Sequence, residues 1–166
     1  YPTADGLVVN DLTTCNFSAN ENFVVLECVV RLLRKGYKPL HLELEPRWQL
    51  GRGASGGKAD ILVKDQQGRP LLLIECKTAG TEFKRAWTKT LQDGDQLFSY
   101  AQQISETQFL CLYTADLDGD AVRYTSHIVA HRDNERYLAD NPHFKPFRSA
   151  TDVKERHAVW RDTYKL

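Results

Sequence analysis

The chain has 166 residues, 42% of them hydrophobic and 27% charged, with 22 Lys plus Arg set against 22 Asp plus Glu. That length carries one core of ordinary size and is short for two, and the apolar content argues against disorder. No apolar run approaches the about 18 residues of a membrane-spanning helix, and zero formal charge gives no global basic field, so a nucleic-acid partner has to be argued from local residues.

In chain order, the first firm element is a helix over residues 19–35. Ser18 followed by Glu21 has the form of a capping box and Gly36 supplies the stop. Apolar residues from Phe23 to Leu33 surround nearly its whole circumference, which predicts deep packing. Leu40, Leu42 and Leu44 then alternate with His41, Glu43 and Glu45 in the period of a half-buried strand, which Pro46 ends or places at an edge. Residues 51–57, GRGASGG, read as a loop leading into ADILV, the turn DQQGRP and the strand LLLIECK, together a hairpin. Residues 82–104 carry helix formers interrupted at Gly94, hence two short helices or one broken one. A second strand pair, QFLCLYT and AVRYTSHIVA, turns around ADLDGD. Ser149 with Asp152 signals a final helix ending near Tyr164. This order of elements predicts one α/β domain over residues 1–166, with a mixed central sheet flanked by helices.

Two counts bear on provenance. The chain opens at Tyr1 and contains no Met, which reads as a domain from a longer protein. Cys15, Cys28, Cys76 and Cys111 form no CxxC or Cys/His cluster, so they read as reduced core thiols of a cytoplasmic protein and not as zinc ligands. No secretory signal opens the chain.

The chemistry lies around the first hairpin. On the strand ending at Lys77, alternate residues share a face, so Glu75 and Lys77 are neighbours. A hairpin turning symmetrically about Gln67 and Gly68 sets Asp60 opposite Glu75, with Cβ atoms about 5 Å apart, and a one-residue bulge would spoil that register. Two adjacent ionised carboxylates repel. A bound Mg²⁺ resolves the conflict because hard oxygen donors suit it, and the neighbouring lysine can orient a bound water or neutralise charge developing on a phosphate. The plain alternative is a solvated ion-pair ladder. It loses ground because ILV and LLLI mark a buried central strand, from whose end charges emerge.

Ala59-Asp60, fourteen residues, then Glu75-Cys76-Lys77 resembles the motif of the PD-(D/E)xK nuclease superfamily, with Ala in place of Pro. Gln96 to Tyr100 matches the QxxxY signature of its RecB-like branch. The combination is most similar to the N-terminal nuclease domain of type I restriction enzyme R subunits and related restriction-modification proteins, over residues 19–130; residues 131–166 fall outside it as an extension of uncertain role. The resemblance implies a restriction-endonuclease-like fold and a Mg²⁺-dependent endonuclease acting on double-stranded DNA, with Mn²⁺ able to substitute. It also implies further domains or subunits for recognition, methylation and translocation. Asp60 and Glu75 would ligate the metal together with the Cys76 carbonyl, Lys77 would assist the attacking water, and Gln96 with Tyr100 would reach backbone or phosphate from one helical face. The first helix would add a carboxylate. Glu21 shares a stripe with Val25, Cys28 and Leu32 and is the first choice, with its capping box the competing role. Glu27, about 240° around the helix, is the second and would need a partner if buried.

Lys84, Arg85 and Lys89 surround Trp87 and form a candidate contact with a DNA backbone; a solvated helix face with Trp87 packed inward is the alternative. GRGASGGK fails the phosphate-loop spacing, and ADLDGD lacks the Gly and Glu of a calcium loop. A repair or recombination nuclease of the same fold, and a DNA-binding module without turnover, are the competing functions.

Overall fold

The computed structural model describes residues 1–46, 58–104 and 106–130. The loop at 51–57 and the tail with its Ser149/Asp152 signal lie outside the described residues. Among the described residues six strands form one mixed sheet: β1 (Val8–Val9), β2 (Leu42–Leu44), β3 (Ile61–Lys64), β4 (Pro70–Cys76), β5 (Phe109–Asp118) and β6 (Ala121–Ala130). They lie side by side in chain order. The pairs β1–β2 and β4–β5 are parallel and the other three antiparallel. Each parallel step is bridged by helix, α1 (Asn20–Arg34) in the first case, α2 (Thr81–Asp93) and α3 (Asp95–Gln103) in the second. Parallel neighbours need such crossovers, whereas β3–β4 and β5–β6 close through tight turns.

The core has two layers. On one side of the sheet Val25, Cys28 and Val29 of α1 cover Leu42, Leu44, Ile61, Val63, Ile74 and Cys111. On the other, Leu97, Phe98 and Tyr100 of α3 and Phe83 of α2 cover Leu62, Leu73, Leu110, Leu112 and Val129. Gly94 separates α2 from α3 in a left-handed conformation, φ 83°. That is the break expected between them, and glycine adopts it without penalty.

Several expectations need correction. The capping box is not formed: Ala19 is the N-cap and gives no side-chain bond, because the Ser18 main-chain N–H and hydroxyl both turn back to Asn16 Oδ1. Glu21 is thereby left free to face elsewhere. The wide apolar girdle of α1 is buried on one side only, with Phe23 51% and Val30 36% exposed. Leu40 falls in a 3-10 turn, Pro39–His41, so β2 is shorter than the alternation suggested. The strand β1 had no signal in a two-residue pattern.

The β3–β4 register decides the site. Ile61 pairs with Ile74, Leu62 with Leu73 and Val63 with Leu72, the alignment that places Asp60 beside Glu75. A bulge does occur, between Val63 and Lys64. It lies on the turn side of these pairs, where Asp65 gathers the loop by accepting from the Gln67 and Arg69 N–H groups, and the site end keeps its register.

Candidate active site

Strand β4 lies between β3 and β5, so its residues approaching the end are buried on both faces, and Glu75 is only 5% exposed. The Lys77 N–H donates to the Tyr113 carbonyl at 2.9 Å, which carries the β4–β5 ladder one step past the strand and fixes the lysine backbone. Glu75 and Lys77 then stand on one face as their spacing requires, with Lys77 Nζ 2.6 Å from Glu75 Oε1. The other oxygen, Glu75 Oε2, is buried with no hydrogen-bond partner of ordinary geometry.

Asp60 sits in the bend before β3. Its N–H donates to the Ile74 carbonyl at 3.2 Å, and its Oδ2 accepts from the Cys76 N–H at 2.6 Å. The carboxylate is thus tied to the main chain beside Glu75. Burial, and then repulsion by Glu75 and Glu21, push the Asp60 carboxyl well above its usual range against the pull of the Cys76 N–H and Lys77. Burial also raises Glu75, with Lys77 opposing. At Lys77 burial works against the charge, but Glu75, Glu21 and Asp60 outweigh it and hold the ammonium above the ordinary lysine range. Lys77 is therefore a fixed cation and a donor, and it has no lone pair to act as a base.

Glu21 and Tyr100 join from opposite layers. Glu21, in the first turn of α1, brings Oε2 to 3.5 Å from Lys77 Nζ. Tyr100 in α3 is 2% exposed, and its hydroxyl hydrogen-bonds to the Glu75 carboxylate. Burial, Glu75 and Asp60 raise the phenol, so it remains a donor. Gln96, one turn earlier, is exposed. Glu27 is elsewhere. It pairs with Arg31 and accepts from the Tyr113 hydroxyl, which is the partner a half-buried carboxylate on that face needs.

Lys84, Arg85 and Lys89 are exposed on α2. Trp87 does not stand among them as an open ring: it stacks on His127 at 4.2 Å, while Arg85 pairs with Glu82 at 2.8 Å. Cys28, Cys76 and Cys111 are buried thiols and Cys15 is half-buried, all four free. An apolar recess of about 400 Å³ between α1 and β4–β6, walled by Leu32, Leu72, Ile74, Cys111 and Tyr113, contains none of the charged residues around Lys77.

Sequence reasoning passed over Glu45. It is 6% exposed, its N–H donates to the Asp60 carbonyl at 2.9 Å, and its φ is +45°. The available signal was an acidic residue directly before Pro46 at the end of a strand, which says nothing of burial.

Three carboxylates, Glu21, Asp60 and Glu75, thus surround one ammonium, Lys77. Among the described residues no group of three or more His, Cys, Asp and Glu side chains is placed to hold a metal ion. Magnesium does not require one, since it commonly takes one or two protein carboxylates together with waters and substrate phosphate. The donor set fits that need through its excess negative charge and its hard oxygens, three carboxylates against one ammonium. No family model matches the chain, and no curated protein matches it by sequence.

Proposed function

We propose that this chain is a Mg²⁺-dependent endonuclease domain of the PD-(D/E)xK type, with a restriction-endonuclease-like fold, that hydrolyses phosphodiester bonds of DNA. The observation that carries the proposal is the buried pairing of Asp60 and Glu75 beside the Lys77 ammonium, 2.6 Å from Glu75 Oε1. A protein with no use for the arrangement could lower its free energy by replacing either acid, because buried like charges are costly. Asp60 and Glu75 would hold the metal, with the Cys76 carbonyl as a further donor, while Glu21 would stand beside them against Lys77. When bound, Mg²⁺ would supply an activated water and Lewis acidity toward a phosphoryl oxygen.

The remaining work falls to the chain's own groups. The Cys76 N–H fixes the Asp60 carboxylate, and the Tyr100 hydroxyl and Lys77 together fix Glu75, so the acids are held in place by the sheet and α3. The Lys77 ammonium stands where it can donate to the attacking oxygen or offset charge growing on the phosphate. The exposed Lys84 and Lys89 are candidates for backbone contact. A restriction-modification setting, partner subunits and a cytoplasmic location rest on the resemblance of motifs alone.

The test is cleavage of supercoiled plasmid, run beside direct binding of Mn²⁺. Wild type is expected to nick DNA with Mg²⁺ or Mn²⁺ and to stop with chelator. Asp60→Asn is expected to lose both binding and cleavage, and Lys77→Ala to lose cleavage by at least 100-fold, the order of a single general acid–base or electrostatic contribution. If Asp60→Asn binds Mn²⁺ as wild type does, or cleavage persists in chelator, the proposal fails.

A further inference from the structure

We propose that Glu45 is a positioning residue for Asp60, acting from the neighbouring strand end; the inference rests on the metal-site reading above. Two unfavourable features coincide at this residue. It adopts a left-handed φ of +45° directly before Pro46, where a non-glycine residue is strongly disfavoured. It also buries a carboxylate whose Oε2 has no hydrogen-bond partner, the Lys58 ammonium standing 4.0 Å away. Glycine would remove both at once. Strain of this kind persists where the surroundings enforce it, and it clusters at sites of function.

The surroundings show what the carboxylate does. Its Oε1 accepts from the Thr13 hydroxyl. Lys58, drawn toward Oε2, is held at 2.7 Å by Asp11 Oδ2. Glu45 thereby joins the segment after β1 to the chain two residues ahead of Asp60, and its own N–H donates to the Asp60 carbonyl. Asp60 is held from both neighbouring strands, its carbonyl by the Glu45 N–H just past β2, and its N–H and carboxylate by the Ile74 carbonyl and Cys76 N–H of β4, with Lys58 anchored two residues before it.

The deciding variant is Glu45→Gly, which keeps the left-handed backbone without penalty and removes only the side chain. The expected result is a melting temperature equal to or above wild type, with Mn²⁺ affinity, read from free Mn²⁺ by electron paramagnetic resonance, weakened about 10-fold. Glu45→Gln, which keeps the acceptor for Thr13 but loses the attraction for Lys58, is expected to fall between the two. A purely structural carboxylate predicts the reverse for Glu45→Gly: lower stability and unchanged affinity in the folded protein, which overturns the proposal. Asp60→Asn separates the two readings. If it loses Mn²⁺ while Glu45→Gly keeps it, only the role of Glu45 falls; if Asp60→Asn binds like wild type, both fall.

Discussion

Asp60 and Lys77 respond to their surroundings in opposite senses, and the pH dependence of stability follows. A carboxyl raised in the folded state binds its proton more tightly there than in the unfolded chain. Its favourable contribution is complete below the ordinary carboxylate range and is lost as pH rises through the folded value. Lys77, also raised, keeps its contribution up to the ordinary lysine range, so it does not offset the loss in the window above the ordinary carboxylate range. In chelator, thermal melting of wild type is expected to decline across that window, while Asp60→Asn declines less and is the more stable by a few degrees at pH 8. A difference of about 1 kcal/mol would move the midpoint by about 2–4 °C in a chain of this size. Mg²⁺ is expected to close the gap by stabilising wild type alone. Equal slopes for the two proteins would show that Asp60 ionises without strain.

At the scale of elements, α1 does two separate jobs with two acids less than two turns apart. Glu21 reaches Lys77, whereas Glu27 binds Arg31 and Tyr113, and Arg31 stacks over the Tyr124 ring at 3.5 Å, tying α1 to β5 and β6. Arg31→Ala is expected to cost about 1–3 kcal/mol in urea unfolding, since it removes the counter-charge of Glu27 and a donor to the Tyr113 hydroxyl, leaving those two paired only with each other, while Mn²⁺ affinity stays within twofold. Glu21→Gln is expected to leave unfolding nearly unchanged and to weaken Mn²⁺ binding. The helix spacing alone could say that the two acids face different ways, but it could not say which way each faced, because apolar residues ringed α1. The hairpin was more legible. Its alternation and turn residues set Asp60 beside Glu75, and the bulge that could have spoiled that register fell on the turn side. What stayed hidden was Glu45, since neither burial nor a left-handed φ before proline leaves a mark in composition or period.

Across the whole molecule, equal numbers of positive and negative residues leave no global basic field, so under the proposed function DNA would be held by local groups. Reversing Lys84 and Lys89 to Glu together is expected to weaken DNA binding several-fold and to flatten its salt dependence, with Mn²⁺ affinity unchanged. Unchanged DNA binding would remove α2 from the contact surface. Arg85 is a poorer target because Glu82 already holds it.

The sheet also has a property that concerns how it is made. Its strands succeed one another in space as they do in sequence, including across both helical crossovers. A chain emerging from the ribosome can therefore add each strand to the edge completed just before it, and no strand has to be inserted between two already paired. Such an order keeps the loops that must close short and the folding search local. The acids Asp60 and Glu75 meet as one hairpin closes, and Lys77 follows two residues later, so their repulsion meets its counter-charge within the same stretch of synthesis. Tyr100 and β5 come afterwards and seal a charge cluster that is already balanced as far as one lysine can balance it.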